Sequence, residues 1–149
     1  MDALDDTDRA IAAQLCHDGR ISYTDLAKSM GLSTSTVHQR VRRLEERGVV
    51  RGYTARLDAE AVGLPLTAFI SITPIDPADP DDLPDRLLPL GAIESCYSVA
   101  GDANYVLLVR VATPRELEAL VAEIRAVGNV TTRTTVVLST PFEGRPVAL

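Results

Sequence analysis

The chain has 149 residues, 46% hydrophobic and 24% charged, with a formal net charge of −6 at pH 7. Those proportions belong to a folded soluble protein of one generous domain or two small modules, and they exclude disorder over most of the chain. No run reaches the roughly 20 apolar residues of a membrane span. The acidic N-terminus (MDALDDTDR) is unlike a signal peptide, so the expected location is the cytoplasm. Two cysteines, Cys16 and Cys96, with no CxxC spacing and no clustered histidine, supply neither a zinc site nor a disulfide framework.

The charge is uneven. Residues 1–56 hold nine Lys/Arg and eight Asp/Glu, residues 57–149 hold six and thirteen, and 33–56 alone carries six arginines against two glutamates. One part of the chain can therefore meet a polyanion that the rest would repel.

Asp5, Asp6 and Asp8 crowd a helix start, where the positive dipole end favours carboxylates, and Leu4, Ile11 and Leu15 follow on one face. Gly19 ends that helix. Ser22 with Asp25 resembles a capping box for a short second helix, buried through Leu26, Ala27 and Met30 and ended by Gly31. Ser33 caps a third helix, with Val37, Val41 and Leu44 as its apolar seam and Gly48 as its stop. The join from Ala27 to Ser33 offers a small residue, a glycine four later, an apolar turn residue and a cap. Two steeply crossing helices need that set, and a helix-turn-helix is the expectation.

A tight corner alone would not indicate function, but the third helix does. Opposite its seam lie Ser35, Gln39 and Arg42, flanked by Thr36, His38 and Arg43. Such side chains bond base edges and phosphates, so double-stranded DNA is the expected partner. Ser35, Gln39 and Arg42 are assigned to bases, and Thr34, Thr36, His38, Arg40, Arg43 and Arg51 to phosphates. Residues 49–56 read as a short strand.

Residues 66–73 read as a strand closed by Pro74, and 76–82, with Pro77 and Pro80, as an acidic loop. A short helix containing Pro84 then runs to about Leu90. Strands over 93–100 and 105–112 are joined by a turn at Gly101-Asp102-Ala103-Asn104. Thr113 as N-cap, Pro114 at the first helical position and Glu116 open a helix buried through Leu117, Leu120, Val121, Ile124 and Val127 and ended by Gly128. The last strand covers 130–140. The predicted class is α+β: an N-terminal helix-turn-helix followed by a ferredoxin-like βαββαβ sandwich, an antiparallel sheet with both helices on one face. Phe69 or Ile70, Tyr97, Leu107 or Leu108 and the threonines of the last strand would line the bare face. A second copy packed sheet to sheet would cover it, giving a homodimer suited to two half-sites.

The segments 4–11 (LDDTDRAI), 26–33, 37–53 (VHQRVRRLEERGVVRGY), 98–102 and 132–137 together resemble the Lrp/AsnC, or feast/famine, transcription regulators. The resemblance runs from Leu4 to about Phe142, and 93–96 with 105–112 is similar to the actinobacterial, mycobacterial LrpA-type branch. It implies a winged helix-turn-helix DNA-binding domain over 1–52, a linker strand and hinge over 53–65, and a ligand-sensing and oligomerisation domain over 66–149. It also implies dimers that assemble further, commonly to octamers, and a free amino acid effector with no other cofactor or metal. Carried over by position, the effector residues are Ser98, Val99, Gly101, Asp102, Asn104 and Tyr105, with Thr132, Thr134, Thr135 and Val136. Many relatives have a second aspartate where this chain has Asn104.

Two other readings compete with an amino-acid-responsive regulator. One is an architectural DNA-binding protein with no effector response. The other is an enzyme, for which the sequence offers no clustered His/Cys/carboxylate set and no phosphate-cradling glycine loop.

Overall fold

A computed structural model describes residues 4–78 and 82–147. The chain forms two units. One is Met1–Arg56 together with Phe142–Leu149, and the other is Leu57–Pro141.

Three helices build the first unit: α1 (Asp6–His17), α2 (Tyr23–Met30) and α3 (Thr34–Glu46). Each begins on a side-chain cap that satisfies an amide the helix leaves unbonded. The Asp5 carboxylate accepts from the Asp8 N–H at 2.7 Å, Ser22 Oγ from Asp25 at 3.0 Å and Ser33 Oγ from Thr36 at 3.1 Å. Gly31 takes φ +65° between α2 and α3, a left-handed conformation costly to a residue with a Cβ. Ile11, Leu15, Leu26, Ala27, Val37, Val41 and Leu44 close the core of this unit. Burying each of the larger ones contributes about 1.5–3 kcal/mol.

The strand expected over 49–56 does not form. The Val49 and Val50 N–H groups both return to the Leu44 carbonyl, finishing the end of α3. Beyond them, the sheet among the described residues has four strands and takes none from 49–65. A run of β-prone residues becomes a strand only beside a neighbour.

The second unit opens on turns over 58–64, held by the Asp58 carboxylate accepting from Glu60 and Ala61. There follow β1 (Leu66–Pro74), α4 (Leu83–Leu87), β2 (Ile93–Ser98), β3 (Tyr105–Val111), α5 (Pro114–Gly128) and β4 (Val130–Val136). The sheet order is β2-β3-β1-β4, every pair antiparallel, which is the expected ferredoxin-like arrangement. Ala68, Ile70, Ile72, Leu107, Val109 and Val111 meet Leu83, Leu87, Leu117, Leu120 and Ile124 in one core. On the opposite face Phe69 is 41% exposed and Tyr97 53%.

Several boundaries differ from expectation. Helix α4 stops at Leu87, ahead of Leu90, because Pro89 has no N–H to continue the ladder, although Leu88 itself keeps helical angles. The second strand ends at Ser98, not Ala100, and the third at Val111, not Ala112. The last strand ends at Val136 and not Thr140, since Ala68↔Val136 is its last pair with β1. The α5 terminator is Asn129, at φ 52°, and not Gly128. Part of the loop read over 76–82, Pro80 included, lies outside the described residues, as do 1–3 and 148–149.

Candidate functional site

Helix α3 presents a polar face because its apolar seam is fully used. Val37, Val41 and Leu44 are buried, while Ser35, Gln39 and Arg42 are exposed on the other side. At its N-terminus the Ser33 hydroxyl lies 3.0 Å from Ser35 Oγ and 2.7 Å from Thr36 Oγ1. Thr34 is exposed beside them, at the end where free amides and the helix dipole favour an anion. Arg42 Nε donates to Glu46 Oε1 at 2.8 Å, one turn on. Both partners are exposed, so the pair is worth a few tenths of a kcal/mol and gives way readily to a stronger acceptor.

The two flanks of that face are braced. On one, Arg40 Nη1 lies 2.7 Å from both Asp5 Oδ2 and Asp8 Oδ1, and Arg43 Nη2 lies 2.8 Å from Asp8 Oδ2. The Arg40 guanidinium and the Asp8 N–H together hold the Asp5 carboxyl below the ordinary aspartate range, and the same two carboxylates push Arg40 up. On the other flank, the His38 ring meets Tyr23 of α2 edge to face, centroids 5.4 Å apart. Arg51 is exposed beyond α3, and the Tyr53 hydroxyl donates to Glu45 Oε1 at 3.0 Å.

In the second unit the β2–β3 loop is pinned at its base, with Val99 N–H donating to the Asn104 carbonyl and Asn104 N–H to that of Ile72. Beside it is a depression of about 200 Å³ lined by Ser71, Thr73, Asp102, Ala103, Thr131, Thr132 and Arg133. One carboxylate, one guanidinium and the hydroxyls of Ser71, Thr73 and Thr131 around one space complement a small zwitterion, while the Thr132 hydroxyl accepts from Arg125 of α5. The Thr131 hydroxyl donates to the Thr73 carbonyl, tying β4 to β1 at that end.

Two family models match successive parts of the chain. Winged helix-turn-helix DNA-binding domains match residues 4–51, and the Lrp/AsnC ligand binding domain matches residues 67–147. The HTH-type transcriptional regulator LrpA of Mycobacterium tuberculosis is 55% identical over 144 residues, 97% of this chain and 96% of that one.

The chain belongs to the Lrp/AsnC family.

It is a DNA-binding transcriptional regulator of that type, as its relatives are, and not an enzyme. The leucine-responsive regulatory protein of Escherichia coli K12 is 38% identical over 91% of this chain and 85% of its own length. A solved feast or famine regulatory protein from M. tuberculosis, complexed with L-methionine, is 54% identical with a TM-score of 0.95, covering 97% of this chain and 99% of its own. Bacillus subtilis LrpC matches with a TM-score of 0.84 at 30% identity, covering 93% of this chain and 97% of its own. Among the described residues of this Lrp/AsnC regulator, no three His, Cys, Asp or Glu side chains cluster to hold a metal, and no helix is long and apolar enough to cross a membrane.

The fold gathers the residues assigned to DNA on one helix with one outlier, Arg51, but it uses them differently. Ser35, Gln39 and Arg42 share the outer face; Arg40 is engaged by two carboxylates of the N-terminal segment; Thr36 is half-buried in the cap. Of the residues assigned to the effector, Asp102 and Thr132 line the depression. Ser98, Val99, Gly101 and Asn104 are exposed around the same turn. Tyr105 is buried in the core, and Thr134 and Val136 pair with Ile70 and Ala68 on the helix-covered side of the sheet. Thr135 pairs with Phe69 on the bare side, with Arg133 and Thr131. Ser71, Thr73 and Thr131 are lining residues that sequence reasoning missed, while Ala103 and Arg133 lie within the loop and strand segment to which the resemblance points. Strand register puts Ser71 and Thr73 beside β4, and no local pattern carries that register.

Proposed function

We propose that this regulator reads a two-fold operator through α3 and responds to a free amino acid. In this reading, 1–52 binds DNA, 53–65 links and 66–149 senses and assembles. Ser35, Gln39 and Arg42 meet base edges, while Thr34, Thr36, His38, Arg43 and Arg51 lie along phosphates. The observation that carries it is the exposed Ser35/Gln39/Arg42 face set opposite a fully buried seam.

The amino acid's ammonium group pairs with Asp102 and its carboxylate with Arg133, among the hydroxyls of Ser71, Thr73 and Thr131. L-Methionine is the first ligand to try, because a relative from M. tuberculosis was solved with it. The exposed sheet face with Phe69 and Tyr97 supports a homodimer, and octamers are the expected higher assembly.

The test is competition binding on a duplex selected by the protein from a random pool and on a random duplex. Arg42→Ala costs about 1–3 kcal/mol on the selected duplex and less on the random one. Equal losses on both contradict base reading and make Arg42 a phosphate contact.

A further inference from the structure

We propose that Asp8 is a positioning residue for DNA readout, holding α3 at one rotation and aiming Arg43 at the phosphates, with Arg40 as its pin and not a DNA contact. The proposal rests on the assignment of the α3 outer face to DNA.

At about 100° per residue, Ser35, Gln39 and Arg42 span roughly 60° of the α3 circumference. Arg43 and Arg40 stand about 80° and 140° round from Ser35 on one side, and His38 about 60° on the other. The flanks of the reading face are therefore the positions tied to the rest of the unit, His38 to Tyr23 and the arginines to Asp8.

Asp8 is the one buried charged side chain among the described residues, 1% exposed. A buried carboxylate is tolerated only where both oxygens are matched by positive donors. Here both are matched from α3: Oδ1 to Arg40 and Oδ2 to Arg43. Two guanidiniums three residues apart, bound to one carboxylate, resist rotation of the helix in either sense, which an apolar seam alone does not. The division of labour follows from exposure. Arg40 is 26% exposed and its Nη1 meets both Asp5 and Asp8, so that nitrogen is taken up by the N-terminal segment. Arg43 is 51% exposed and gives Asp8 one nitrogen, Nη2, which leaves its other donors facing solvent on the edge of the reading face. A carboxylate behind a planar guanidinium fixes the plane in which it offers the rest of its fork.

The experiment measures the affinity of the full-length protein for a duplex selected by the wild type and for a random duplex, across a salt series. Arg43→Gln reduces the magnitude of the slope of log K against log salt by about one on both duplexes. Arg40→Gln keeps the wild-type slope but lowers the ratio of selected to random affinity, as Asp8→Asn does, by about tenfold. A ratio unchanged in Asp8→Asn and Arg40→Gln, whatever happens to melting, overturns the proposal. So does an Arg40→Gln slope that falls as far as the Arg43→Gln slope. If Asp8→Asn fails to fold, the contrast between the two arginine variants decides by itself. A wild-type protein with no salt-dependent DNA binding would refute the α3 reading first, a result distinct from either of these.

Discussion

Gly128 sits so close to Leu83 that a Cβ added to it would lie 2.8 Å from the Leu83 Cδ1, and 3.2 and 3.3 Å from the two Val130 methyls. The glycine lets the last turn of α5 pack onto α4. Gly128→Ala gains about 0.5–1 kcal/mol of helix propensity and incurs about 1–3 kcal/mol of overpacking, because Val130 is stiff and Leu83 is buried. The expected net is a melting temperature several degrees lower, and Gly128→Ala with Leu83→Ala should be less destabilised than the sum of the single changes. A higher melting temperature for Gly128→Ala contradicts the packing account.

Ser33 is the N-cap of α3, accepting from the Thr36 N–H and touching the Ser35 and Thr36 hydroxyls. Ser33→Ala should cost about 1 kcal/mol in urea unfolding, and Ser33→Asp should recover most of it. Equal stability of all three forms would mean the cap adds nothing.

Burial first, and then the bond to Glu45, pushes the Tyr53 phenol up to about 12. The fold favours the protonated form, so this contribution is whole below the ordinary tyrosine value near 10 and is lost as pH rises from there to about 12. The stability gap between wild type and Tyr53→Phe, read by urea unfolding at alkaline pH, should close across that window. A gap constant to pH 12 contradicts the Tyr53–Glu45 bond.

What the sequence disclosed was whatever is encoded locally. Ser22, Ser33 and Thr113 announce helix starts by residue type, and each is a cap in the structure. The Val37/Val41/Leu44 seam follows from spacing alone. Gly128 misled because glycine most often ends a helix by its backbone freedom, whereas here its missing side chain matters and Asn129 makes the left-handed turn. The Asp8 pairs join residues 32 and 35 apart, and no periodicity reports such a contact. The depression depends on β1 meeting β4 so that Ser71 faces Arg133, a register fixed by the whole sheet. The strand read over 49–56 was propensity without a partner.

On the proposed function, the depression beside Asp102 makes this DNA-binding protein a sensor of an amino acid. The most direct measurement is a thermal-shift panel of the full-length protein against the twenty amino acids, L-methionine included, beside Asp102→Ala and Arg133→Ala. A ligand at about 100 times its Kd stabilises the native state by roughly 2.7 kcal/mol. The account predicts that one amino acid, or one chemically related group, raises the melting temperature of the wild type and of neither variant. Silence across all twenty, or a shift that survives both substitutions, contradicts it and favours an architectural DNA-binding protein or a different effector site.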